Sequence, residues 1–208
     1  MVAAVVAFAG VAALLNIAPG LDTMVVLRSA LAGGRRVGGA AAAGVLLGCL
    51  GWGVAAALGV TALLAASRLG YDVLRFAGAG YLAWLGVRTL LASRRSRYDE
   101  TVPVPRIRTA GPGAFRSGLL TNLLNPKAGV FYLSLIPQFL PRGVDPAAGT
   151  LLLTAVDLGE LTVWYAFVTV AAGLLAARLR RGPVRRRLDQ LSGVTVLGFA
   201  AKLAVDRG

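Results

Sequence analysis

The sequence predicts an all-α membrane protein: six transmembrane helices arranged as two inverted three-helix repeats, with helices one and four broken. Three observations predict it. The 208 residues are 57% hydrophobic and only 15% charged, with a mean hydropathy of +0.72, which is too apolar for a soluble domain of this length. The apolar residues fall into six runs, each close to the roughly 20 residues that a helix needs to cross about 30 Å of hydrocarbon. The first run of each half also contains an asparagine followed by a proline, Asn16 and Pro19 in one and Asn122, Asn125 and Pro126 in the other.

The first run, Val2 to Leu27, has no basic segment ahead of it and continues into Pro19 and Asp22. It therefore reads as a retained span rather than a cleaved signal peptide. The second, Val37 to Ala66, carries Gly44, Gly48, Gly51 and Gly59, and the third, Leu69 to Leu91, carries Gly78, Gly80 and Gly86. Small residues at helical spacing let membrane helices approach closely, within one chain or between copies in a homo-oligomer. The fourth, fifth and sixth runs are Ala114 to Leu140, Ala147 to Ala177 and Leu188 to Val205. All six are much longer than barrel strands and lack period-2 alternation, so a helical bundle is expected. The aromatic residues Trp52, Tyr81, Trp84 and Tyr132 read as packing or interfacial anchors.

The segment from Ser93 to Gly113 is charged and contains three prolines, as an exposed linker does. The expected organisation is therefore a first repeat over 1–91, a basic cytoplasmic linker over 92–113 and a second repeat over 114–208. Three spans per half is an odd number, so the second half crosses the membrane in the opposite sense to the first, the arithmetic of an inverted repeat.

A net charge of +13 would suit a nucleic-acid partner if it covered one surface. It does not: sixteen arginines, among them Arg28, Arg35, Arg36, Arg94, Arg116, Arg185 and Arg187, fall in or beside alternate loops, whereas the other two loops hold only Arg68 and Arg142. By the positive-inside rule the basic loops are cytoplasmic and both termini lie outside, in a bacterial inner membrane.

Proline removes a backbone donor and clashes with the preceding turn, so both proline-bearing helices should break and expose polar backbone. Lipid tolerates that only against protein or a wet cavity. Pro19 lies nine residues before Arg28 and Pro126 ten after Arg116, which puts each break about 14 to 15 Å from the cytoplasmic edge. Asp22 follows the first break and Lys127 the second, while Asp157 lies eleven residues into span five from Pro146, with Glu160 three residues on along the same helix face. Charges at such depth cost a few kcal/mol unless paired or hydrated, and by default they mark function.

Other functions lose ground on composition. A thiol redox protein needs paired cysteines and the chain has only Cys49. A divalent-metal or other small-solute exporter remains the alternative, with Asp22, Asp157 and Glu160 as its only oxygen ligands and no histidine. Enzyme motifs are lacking: Tyr71-Asp72 has no second acidic motif to pair with, and neither Gly-x-Ser-x-Gly nor His-Glu-x-x-His occurs. Nothing calls for a cofactor.

The segments Ala18-Pro19-Gly20-Leu21-Asp22-Thr23, Tyr81-Leu82-Ala83-Trp84-Leu85-Gly86-Val87-Arg88, and Asn122-Leu123-Leu124-Asn125-Pro126-Lys127-Ala128 running to Pro137-Gln138-Phe139 resemble the lysine exporter (LysE/RhtB) family. The resemblance covers nearly the whole chain, and its Asn-Pro-Lys segment is the most specific part. One departure is Leu21, where the family usually has a second proline, which implies a milder first break. The resemblance implies amino-acid export driven by the proton gradient.

A zwitterionic amino acid presents a carboxylate and an ammonium, which half-helix N-termini and exposed carbonyls or carboxylates can receive. Lys127 and the backbone after Pro126 are expected to take the carboxylate and Asp22 the ammonium. Asn16, Pro19, Gly20, Asn122 and Asn125 are expected to shape the cavity around them. Asp22, Asp157 and Glu160 are the candidates to exchange the coupling proton.

Overall fold

A computed structural model describes residues 2–17, 20–66 (60–66 as backbone only), 111–140 and 143–172, with single positions between 73 and 91 and between 174 and 201. Every regular element among the described residues is helical. Helix α1 is Val2–Ile17, α2 is Leu21–Ala66, α3 is Gly111–Leu123, α4 is Pro126–Val130 and α5 is Pro146–Val170. A π-helical turn, Phe131–Leu135, and a 3-10 turn, Ile136–Phe139, continue α4.

The 46 residues of α2 are two helical arms, 21–33 and 35–66, joined at Gly34, whose φ of 73° and ψ of −171° lie in a region reserved for glycine. The arms fold back on each other. Asp22 and Cys49 would be about 40 Å apart on a straight helix, yet both lie within 3.2 Å of the Asn122 amide nitrogen. The predicted first span ends at Leu27, but the helix runs on to residue 33 because nothing from Leu27 to Gly33 breaks it. Arg28 is part of the helix, and Gly34 is where the chain can reverse.

Helix α3 likewise begins at Gly111, inside the segment predicted as linker. Pro112 sits in its first turn, where a missing N–H is harmless. The rest of the predicted linker, the third and sixth spans apart from single positions, and Tyr81, Gly78 and Gly86 lie outside the described residues.

The second arm of α2 is the spine. It packs on α3 so closely that a Cβ at Gly44 would strike the Phe115 carbonyl oxygen, and one at Gly118 the Ala41 carbonyl oxygen. On its other flank a Cβ at Gly53 would overlap the Thr154 side chain of α5. Gly44 and Gly48 thus serve packing as their spacing suggests, while Gly51 meets only Leu123 at 3.8 Å and Gly59 has nothing within 4 Å. Helix α1 lies against α5 and the 3-10 turn, with Phe8 fully buried and stacked edge-on to Phe139 at 5.6 Å and tilted to Phe131 at 6.0 Å.

Large apolar side chains cover the outside. Val163 is 72% exposed and Phe167 53%, and Val6, Leu14, Leu47 and Leu58 are exposed as well. So many exposed large apolar side chains suit lipid rather than water. At 25 residues, α5 is about 37 Å long, enough to cross the hydrocarbon.

Candidate functional site

The two helix breaks face each other across one cavity. In the first, α1 stops at Ile17 and α2 starts at Leu21, with Gly20 in the gap and Pro19 outside the described residues. In the second, α3 stops at Leu123 and α4 starts at Pro126. Asn125 caps α4 from an extended conformation, its Oδ1 accepting from the Lys127 backbone N–H at 3.0 Å, while Pro126 fills the first helical position, where no N–H is needed.

Ending a helix leaves its last carbonyls and first amides without helical partners. At the first break the open ends attract charge of the right sign. Lys127 Nζ donates to the Leu15 carbonyl in the last turn of α1 at 3.0 Å, a cation at the negative end of that helix. Asp22 occupies the first turn of α2, the positive end. The Asn122 carbonyl at the end of α3 accepts from the Asn125 N–H at 3.0 Å and from Trp52 Nε1 at 3.4 Å.

Amides hold both carboxylates. Asp22 Oδ2 accepts from Asn122 Nδ2 at 3.1 Å and from Asn125 Nδ2 at 3.0 Å, so three residues predicted for substrate binding meet at one oxygen. Its other oxygen, Oδ1, is buried and has no partner among the described residues. Asp157, 1% exposed, accepts at Oδ1 from Asn16 Nδ2 at 2.8 Å and at Oδ2 from the Tyr132 hydroxyl.

The cavity these groups enclose has a volume of about 60 Å³, room for a few water molecules. Asn16, Gly20, Asp22, Asn122, Asn125, Lys127 and Asp157 all line it, facing an apolar wall that includes Leu15, Phe131 and Leu161. Pro126 adjoins the cavity without lining it. Glu160 does not line it either: it is part-exposed, and its buried Oε2 has no partner among the described residues. Sharing a helix face with Asp157 was not enough, since three residues along an α-helix also turn the side chain by about 60°. Among the described residues no three acidic, cysteine or histidine side chains gather as a metal site would need.

Besides the hydrocarbon side chains, four lining residues went unseen in the sequence: Thr23, Cys49, Tyr132 and Tyr165. Tyr132 reads there as a packing or interfacial anchor; it does pack in the core, 1% exposed, but it also lines the cavity and bonds Asp157. Its position follows from Pro137, which cannot donate to Leu133 and leaves the preceding turn wound as a π-helix, a form common at functional sites. Proline at 137 was the available signal. Cys49 and Tyr165 sit in unbroken apolar runs and gave none.

The family model for the LysE type translocator matches residues 13–207, nearly the whole chain. The chain belongs to this family. As a LysE type translocator it is a membrane protein, and its relatives are of the same size. It is 35% identical to an uncharacterized membrane protein of Pseudomonas aeruginosa, with 89% of this chain and 88% of the relative aligned. It is 29% identical to the threonine efflux protein of Escherichia coli, over 91% of each chain. It is also 29% identical to the leucine efflux protein of Klebsiella pneumoniae, over 89% of this chain and 87% of the relative. No solved structure matches it significantly. In this LysE type translocator the paired breaks bring Asp22 and Lys127 to one small cavity, which α5 lines with Asp157.

Proposed function

We propose that this protein is a secondary transporter of the bacterial inner membrane that exports amino acids or close derivatives by proton antiport. The observation that carries the reading is Asp22, whose buried Oδ1 has no partner among the described residues and which lines a cavity whose opposite charge is Lys127. Asp22 receives the substrate ammonium at that oxygen, Asn122 and Asn125 holding the carboxylate in place from its other side. Lys127 receives the substrate carboxylate together with the backbone after Pro126. It leaves the Leu15 carbonyl to do so, which couples substrate arrival to the end of α1. The export named for the threonine and leucine efflux relatives supports the same chemistry.

The transport cycle needs a carboxylate that trades its proton for substrate, and Asp22, Asp157 and Glu160 are the candidates. An inverted repeat is supported by one correspondence: Asn16, ahead of the first break, donates to Asp157 in α5, and Asn122, ahead of the second, donates to Cys49 in α2. Each broken helix reaches a helix of the other half in the same way. The arginine distribution supports basic loops in the cytoplasm and both termini outside.

The test is efflux from cells preloaded with dipeptides, with and without the protein. Faster efflux of particular amino acids, lost on adding a protonophore, is the expected result. Unchanged efflux of all of them, with the protein present in the membrane, contradicts the reading.

A further inference from the structure

We infer that Tyr132 and Asn16 act as specificity-determining residues which mask Asp157 and so restrict this site to amino acids with an uncharged side chain. The inference rests on the amino-acid export reading and goes beyond it in naming the substrate class. A lysine- or arginine-like substrate carries a second cation, which needs an acceptor once its α-ammonium has taken Asp22. Among the described residues Asp157 is the remaining carboxylate that lines the cavity. It offers no open oxygen: Oδ1 holds the Asn16 amide, Oδ2 holds the Tyr132 hydroxyl, and the side chain is 1% exposed.

A second cation must therefore displace one of these donors and leave it unpaired at a buried position, or else stay unpaired itself, and both are unfavourable. It would also share the cavity with the Lys127 ammonium. The wall left for the substrate side chain, Leu15, Phe131 and Leu161, offers apolar contact to an uncharged group and nothing to a charged one. Rejection by buried groups left without partners is the stronger form of discrimination available to a polar site.

The test compares efflux of threonine, leucine, lysine and arginine from dipeptide-loaded cells carrying the wild type, Tyr132→Phe, Asn16→Ala, or Tyr132→Phe with Asp157→Asn. The wild type is expected to export the neutral amino acids at least about tenfold faster than the basic ones. Either single variant should raise the basic-to-neutral ratio by about tenfold through the freed oxygen, and Asp157→Asn should cancel that gain. The ratio decides, because a merely structural role lowers all four rates together and leaves it unchanged.

Wild-type export of lysine at the threonine rate overturns the inference, as does an unchanged ratio in both single variants. If a variant fails to reach the membrane, the wild-type ratio and the remaining single variant still decide. No export of either class overturns the underlying amino-acid reading, and this inference with it.

Discussion

Asp22→Asn is expected to reduce amino-acid efflux by about ten- to a hundredfold while leaving the protein folded in the membrane. The change is close to isosteric. The new side chain can still accept from Asn122 and Asn125, whose amides meet one Asp22 oxygen at 3.1 and 3.0 Å. What it loses is the negative charge beside the substrate ammonium, and a hydrogen bond to a charged partner contributes about 1.5–3 kcal/mol. At about 1.4 kcal/mol per tenfold, that is one to two decades in rate. Lys127→Ala should fall at least as far, since it removes the cation for the substrate carboxylate and also strips the Leu15 carbonyl of its donor at 3.0 Å. Size-exclusion chromatography of both variants in detergent separates lost transport from lost fold. Full-rate efflux by either one would remove its residue from the site.

The second large effect is structural. Gly118→Val should abolish recovery of folded protein, because even a Cβ there would overlap the Ala41 carbonyl oxygen and lie 3.2 Å from the Val45 nitrogen. Those are backbone atoms, so α2 and α3 must separate, and overpacking of this kind costs about 1–3 kcal/mol or more. Gly51→Ala is the control, since its nearest neighbour is the Leu123 Cδ2 at 3.8 Å, and it should behave as the wild type. Gly48→Ala falls between them: the new methyl would meet the Asn122 side chain at 2.5 to 3.0 Å, shifting an amide that holds Asp22. It should fold and transport about tenfold more slowly. Monodisperse Gly118→Val protein with wild-type thermal stability would contradict the close packing of α2 on α3.

Residues that act through the backbone were legible in the sequence. Pro126, with Asn125 before it, breaks a helix wherever it stands, and an intramembrane Asp22, Lys127 or Asp157 needs a polar neighbour in any fold. All three charges do line one cavity. The fold-back at Gly34 was harder to place, since Gly33, Gly34, Gly38 and Gly39 are equally permissive on paper and tertiary packing selected one of them.

The pairings themselves were not legible. That Lys127 meets Leu15, and Asn16 meets Asp157, depends on how α1 lies against α4 and α5, and these partners are 112 and 141 residues apart. That Glu160 points away from the cavity and that Tyr132 bonds Asp157 were not legible for a related reason. Helical spacing gives a side chain's direction only to within a quadrant or so, and the π-helical turn before Pro137 changes the spacing itself.

The most direct measurement is uptake into proteoliposomes that hold only this protein, fed a radiolabelled neutral amino acid and given an outward proton gradient. Accumulation above the external concentration, abolished by a protonophore and by Asp22→Asn, is the expected result. Equilibration that ignores the gradient, or accumulation that survives Asp22→Asn, contradicts proton-coupled transport through the cavity between the two helix breaks.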